Sequence, residues 1–230
     1  MRKNVLMKHN GGDVITSRGI RSFANAHQWA TVRQLGTRVP FQPRRPILSQ
    51  GEAGTTVVLF LSGRVKVAYT APDGSHTLLS IRGPGDLVGE VACTAGEVRT
   101  ATVSALEAVE ARVIQFGEFT DVVRRFGWGQ MLQRYWADRF RQACQRTWRI
   151  PGQAPQRKIA SLFVAMMDAD GRSVSVPMTQ EEIANSLGLS RRTVWAVLDG
   201  WRGSGWIDVA RSRIDIADPA AIRALLPHGM

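Results

Sequence analysis

"TQEEIANSLGLSRRTVWAVLDGW", Thr179 to Trp201, decides the fold of the carboxyl half of this chain. Thr179 is placed to cap a helix whose third residue, Glu182, reaches back as the other half of a capping box. Ile183, Ala184 and Leu187 recur at helical spacing and make its inner face, and Gly188 permits the left-handed backbone of a sharp helix end. Leu189 then plugs the angle between two helices, and Ser190 caps the second. On that second helix Val194, Val197, Leu198 and Trp201 share one side, while Arg192, Ala196 and Asp199 share the other, with Arg191 and Trp195 at its margin. Two arginines thus open a helix whose dipole already disfavours positive charge there. Phosphate and guanine edges, to which a guanidinium donates two parallel hydrogen bonds, account for the placement.

Downstream, "GWIDVARSRIDIAD" sets Ile207 and Val209 against Ile214 and Ile216 across Ala210 to Arg213, a hairpin with Arg211 and Arg213 at or near its tip. Helix, turn, helix and basic hairpin make a winged helix-turn-helix. Two helices of an unrelated domain with solvated arginines would have no reason to order cap, glycine, serine and hairpin in this way. The DNA-binding candidates are Thr179, Ser190, Arg191, Arg192, Thr193, Trp195, Arg211 and Arg213. For Trp195, contact with a backbone sugar or thymine methyl and a packing role both stay open. Asp218 and Pro219 start a small terminal helix reaching Leu226.

Working backwards, "PQRKIASLFVAMM" reads as an amphipathic helix and "RSVSVP" as a short strand. Pro151 and Gly152 supply a stop and a hinge. Before them, Phe119, Val122, Val123, Phe126, Leu132, Tyr135, Trp136 and Phe140 recur at threes and fours, predicting one long helix over 119–150. Its length and two-sided apolar face suggest that it dimerises; an ordinary helix covering the preceding domain is the alternative. From Thr55 to Gln115, short β-rich runs ("TVVLFLSG", "RVKVAYT", "HTLLSIR", "TATVSALE", "EARVIQF") alternate with turns such as "APDGS" and "GPGD". With no helical crossover between them, they predict an antiparallel barrel or jelly roll.

The fold class is therefore α+β: an amino-terminal antiparallel β jelly roll, a long dimerisation helix and a carboxy-terminal winged helix-turn-helix. The expected division is a flexible basic extension over 1–23, the roll over 24–118, the long helix over 119–150 and the DNA-binding domain over 151–230. A length of 230 residues accommodates two modest domains.

The net charge of +11 points to an anionic partner, but its placement qualifies the argument. Residues 1–50 hold nine basic residues against one acidic, whereas 152–230 hold nine against eight. The excess is not on the helix-turn-helix. No apolar run approaches the roughly 20 residues needed to span a bilayer, and the amino terminus lacks a secretory apolar core, so a cytoplasmic protein with no membrane partner is expected. Cys93 and Cys144 are too few for a disulfide framework or a four-cysteine metal site, and His9, His27, His76 and His228 are scattered. No metal, no covalent cofactor and no catalytic residue is expected. An enzyme of the metal-binding jelly-roll type needs clustered histidines, and only His76 lies on the roll.

Roll, long helix, hinge and winged helix-turn-helix, in that order, resemble the family of the cyclic-AMP receptor protein and the fumarate and nitrate reduction regulator. The resemblance covers roughly residues 24 to 226 and is most specific over "TQEEIANSLGLSRRTV". It implies a homodimeric transcription regulator on double-stranded DNA, with RNA polymerase as a further partner. It also implies a cyclic nucleotide in the roll, held by a Gly-Glu turn and an Arg-Ser/Thr-Ala strand start. "GEVACTAGEVRTA" supplies these as Gly89, Glu90, Val91 and Ala92, then Arg99, Thr100 and Ala101. On that reading Arg99 and Thr100 take the cyclic phosphate and Glu90 the ribose hydroxyl, consistent with a guanidinium fork for phosphate and a carboxylate acceptor for a hydroxyl. The alternative is a structural Glu90–Arg99 ion pair in a regulator that uses no cyclic nucleotide. The long-helix positions that offer hydroxyls to adenine in the cyclic-AMP receptor fall on Ala143 and Cys144, a departure that leaves Cys144 as the effector-facing candidate there. In the recognition helix the family's Arg-Glu-Thr-Val-Gly-Arg becomes Arg191, Arg192, Thr193, Val194, Trp195 and Ala196, which implies a different half-site.

Overall fold

Strand β3 (Thr56–Ser62) carries the run Val57, Val58, Leu59 and Phe60, four consecutive apolar residues all removed from water. Alternating side chains point to opposite faces, so such a run demands cover on both. The computed structural model, which describes residues 19–149, 153–167 and 174–226, supplies it. On one face Val58 and Phe60 meet Val65, Val103, Val109 and Ala111 inside the roll. On the other, Val57 and Leu59 meet Ile20, Val32, Phe119, Trp128, Leu132 and Tyr135.

The roll pairs two antiparallel four-stranded sheets. One runs β1 (Thr37–Phe41), β8 (Val109–Gln115), β3 and β6 (Leu87–Val88); the other runs β2 (Pro46–Leu48), β7 (Thr102–Ala105), β4 (Val65–Thr70) and β5 (His76–Arg82). Helix α1 (Ala26–Val32) precedes the roll, and α2 (Glu90–Ala95) is inserted after β6. The turn before β5 is closed by the Asp73 carboxylate, which accepts from the Ser75 backbone at 2.9 Å.

Two expectations are corrected. The segment 1–23 is not an extension throughout: from Gly19 the chain is packed on the roll, with Ile20 buried among the residues behind β3. A Cβ on Gly19 would lie 2.4 Å from the Gly85 carbonyl oxygen, so the approach is close enough to require glycine. Nor is 119–150 one helix. It is α3 (Phe116–Arg125) and α4 (Gly129–Arg149), broken where Gly127 takes a φ of 66°. Trp128 donates its backbone N–H to the Val123 carbonyl at 2.9 Å, closing the end of α3, and Phe126 stacks on the Trp128 ring. The cause is packing: Phe119, Val122 and Val123 cover β3 from α3, and Trp128 of the break with Leu132 and Tyr135 of α4 complete the cover. The apolar face expected to form a dimer seam is largely used within the chain, while Phe140 is left 73% exposed.

The carboxyl half holds α5 (Pro155–Met166), β9 (Ser175–Val176), α6 (Gln180–Leu187), α7 (Arg191–Gly203), β10 (Ile207–Val209), β11 (Ile214–Ile216) and α8 (Pro219–Ala224). The hairpin pairs Ile207 with Ile216 and Val209 with Ile214, and β9 adds a third strand beside β11. Its core gathers Ile159, Phe163, Ile183, Val194, Leu198, Trp201 and Ile214, and extends to Ile81 and Leu106 of the roll. The hinge expected at Pro151 and Gly152 lies outside the described residues, as does the side chain of Cys144.

Candidate nucleic-acid interface and effector site

The start of α6 is closed by both halves of the box: the Thr179 hydroxyl accepts from the Glu182 N–H at 3.1 Å, and the Glu182 carboxylate accepts from the Thr179 N–H at 2.9 Å. Thr179, a DNA-binding candidate, is thus committed to the cap. Gly188 ends the helix at φ 61°, and the Leu189 N–H returns to the Ala184 carbonyl at 3.0 Å. Ser190 caps α7 by accepting from the Thr193 N–H at 3.0 Å, and the two hydroxyls lie 2.8 Å apart. Val194, Leu198 and Trp201 turn inward.

Of the predicted set, the arginines and Trp195 face outward, while Thr179 and Thr193 are half-buried beside their caps. Arg191 and Arg192 are exposed in the first turn, and Trp195 is 56% exposed one turn on. Among the described residues Arg191 pairs with Glu181 on α6, at 3.3 Å. Arg211 is exposed at the wing tip, where Arg213 donates to Asp215 at 3.0 Å. Exposed pairs of this kind are weak, so both guanidiniums are available to a stronger anion.

In the roll, Gly89 adopts φ 90° before α2, and a Cβ there would lie 2.7 Å from Arg99 Nη1 and 2.8 Å from the Thr56 carbonyl oxygen. Arg99 explains the crowding. Its guanidinium donates to the Gly89 carbonyl at 2.6 Å and to the Thr56 carbonyl at 2.6 Å, with Cys93 Sγ at 3.6 Å, and it is 4% exposed. Thr100 and Val91 are exposed, while Ala92 is buried. Glu90 is buried as well, but no ion pair joins it to Arg99 among the described residues. The charges it senses are Arg139 of α4, Arg82 of β5 and Asp86. Burial raises its carboxyl above the usual range, and the two arginines only partly offset this. Asp86 lies 3.7 Å from Arg139, whose guanidinium covers the Tyr135 ring. Tyr135, raised by burial too, donates its hydroxyl to the Leu87 carbonyl at 2.8 Å.

Arg82, Asp86, Tyr135 and Arg139 were not singled out by sequence reasoning. Arg82 closing an apolar strand was a usable signal; Asp86 was read only as part of a turn, and Tyr135 only as helical period. Among the described residues no group of His, Cys, Asp and Glu could hold a metal ion, and no helix is long and apolar enough to cross a membrane.

Residues 38–126 match the model of the cyclic nucleotide-binding domain, and residues 157–225 that of the Crp-like helix-turn-helix domain. The chain is 28% identical over 188 residues to the CRP-like cAMP-activated global transcriptional regulator of Mycobacterium tuberculosis, covering 78% of this chain and 84% of that one. It is 23% identical to the nitrogen fixation regulation protein FixK of Bradyrhizobium diazoefficiens, over 98% of this chain and 99% of that one. The fold is shared with FixK2 from Bradyrhizobium japonicum (TM-score 0.67, 17% identity, 85% of this chain and 100% of that one). It is shared also with the c-di-GMP responsive global regulator CLP of Xanthomonas campestris (TM-score 0.67, 15% identity, 84% and 99%). A cyclic nucleotide-binding roll followed by a Crp-like helix-turn-helix, with α7 presenting its arginines outward, places the chain in the family of the cyclic-AMP receptor protein and the fumarate and nitrate reduction regulator, DNA-binding transcription regulators rather than enzymes.

Proposed function

We propose that the protein works in the cytoplasm as a homodimer on a two-fold operator with half-sites about 34 Å apart, and that a cyclic nucleotide bound at the Gly89–Thr100 cassette biases it toward or away from that operator. The observation that carries the DNA half is the exposed pair Arg191 and Arg192 at the capped start of α7, each able to fork onto a guanine or a phosphate. Phe140, exposed on α4, is the natural contact between protomers. RNA polymerase is the expected further partner on a promoter.

For the effector half, Arg99, Thr100, Gly89 and Glu90 supply the chemistry of a phosphate and ribose site, with the charge of Arg139 on α4 felt by the Glu90 carboxyl. A ligand that altered the charge around Glu90 would be felt by α4, and would count as an allosteric effector only if it favoured one arrangement. A second reading, a regulator that needs no nucleotide, is favoured by Arg99 itself. Its guanidinium is already engaged by two carbonyls at 2.6 Å, so a phosphate would share the guanidinium with them or displace them.

The test is operator binding by fluorescence anisotropy, on a duplex selected from a random pool, with and without cyclic AMP, cyclic GMP and cyclic di-GMP. An affinity shift with one of them supports the effector reading. Equal affinity throughout, with no thermal shift, supports the second. Failure to bind any selected duplex at low salt overturns both.

A further inference from the structure

The β4–β5 edge of the roll, with the residue just before β4, grips the winged domain at three places. Pairing sets Lys66 across from Ile81 and Val65 across from Arg82, so Val65 faces the roll interior while Lys66 and Ile81 face out of it. Ile81 is still buried, because it shares a core with Ile159, Phe163 and Ile183. Arg64, just before β4, donates through Nε and Nη2 to both oxygens of Glu107, each at 2.8 Å, which fixes the guanidinium plane. Its remaining nitrogen, Nη1, reaches the carbonyls of Met166 at 2.6 Å and Ser175 at 2.9 Å. Met166 ends α5, where carbonyls lack partners within the helix, and Ser175 is in β9. Lys66 donates to Glu182 Oε1 at 2.9 Å, while Glu182 Oε2 closes the capping box of α6. The end of α5, the wing sheet and the first helix of the helix-turn-helix are thereby all tied to the roll.

We propose that Arg64 and Lys66 are positioning residues for operator recognition: held by the roll, they set the direction in which each winged domain presents Arg191 and Arg192. The proposal rests on the reading of a dimer across two half-sites. In such a complex the seat of each winged domain on its roll sets the separation of the two recognition helices. Base preference within a half-site depends on α7 alone. Loosening the seat therefore relaxes spacing and leaves base preference intact, an outcome a general loss of stability would not produce.

The experiment uses the full chain and its selected operator, with the half-site separation lengthened or shortened by one or two base pairs. Arg64→Met with Lys66→Met should reduce the preference for the selected spacing by about fivefold or more, with half-site base preferences unchanged and affinity for the selected spacing lower. Should that pair fail to fold, Lys66→Met alone, with folding checked by its melting curve, carries the same prediction. Glu182→Gln keeps the capping box, since glutamine serves at that position, and in its background Lys66→Met should change spacing preference no further. A folded variant that discriminates spacings as the wild type does, or binds the operator more tightly at unchanged spacing preference, overturns the proposal. A wild-type protein that occupies only single half-sites overturns the dimer reading instead.

Discussion

The hydroxyl of Tyr135 donates to the carbonyl of Leu87 at 2.8 Å, with the tyrosine wholly out of water, so that α4 is pinned to the strand that leads into the cassette. Tyr135→Phe keeps the ring and its packing but leaves a buried acceptor unmet, a loss of about 1–3 kcal/mol. The melting temperature should fall by several degrees, and an unchanged melting curve would remove the bond from the account of how α4 is held.

Glu90 gives the fold a pH dependence of definite sign. Burial raises its folded-state carboxyl above the unfolded value, so the native state binds the proton more tightly. Its contribution is fully present below the ordinary glutamate range and is lost as the pH climbs through the raised value. Glu90→Gln, neutral at every pH, should flatten that part of the profile in urea titrations run from acid to neutral pH. Parallel profiles for the two proteins would contradict the assignment.

Gly89→Ala places a methyl 2.7 Å from Arg99 Nη1 at a φ of 90°. Strain of about 1–3 kcal/mol from the backbone alone is expected, with the Arg99 bonds displaced in addition. Faster proteolysis within α2 or the following loop, at a lower melting temperature, is the readout. A variant as stable as the wild type would mean that the cassette relaxes freely.

At the DNA face the two arginine classes should separate. Arg191→Ala or Arg192→Ala should cost about 1–3 kcal/mol against the selected operator and relax base preference at one position. Arg213→Ala should weaken all duplexes alike and reduce the slope of log K against log salt by about 0.9. Glu181→Gln, which removes the counter-charge from Arg191, should strengthen binding, most visibly at low salt. Uniform effects from all four substitutions would count against α7 as the reading element.

What could be foreseen follows how local each device is. The caps at Thr179 and Ser190 span three residues, and the turn at Gly188 one; these were legible, as was the hairpin carrying Arg213. The break at Gly127 was hidden because the apolar period of Phe119 to Phe140 runs through it in register, and only the cover needed by Val57 and Leu59 decides that two short helices do the work. Burial of Ile20 depends on the same distant strand. The cassette residues were named, but the aim of Arg99 depends on the Thr56 carbonyl, 43 positions away, and no period or motif encodes that. The Lys66–Glu182 pair spans 116 positions and joins a lysine that looks like an ordinary solvated charge to a glutamate whose local cap already accounts for it.

The seating of Gly19 and Ile20 beneath Gly85 bears on how the protein can be trimmed. A version begun at residue 24, where composition alone would draw the boundary, would strip the cap from Val57 and Leu59 and leave an oily patch beside Trp128. Such a fragment should clump on purification, whereas one begun at residue 18 should stay in solution.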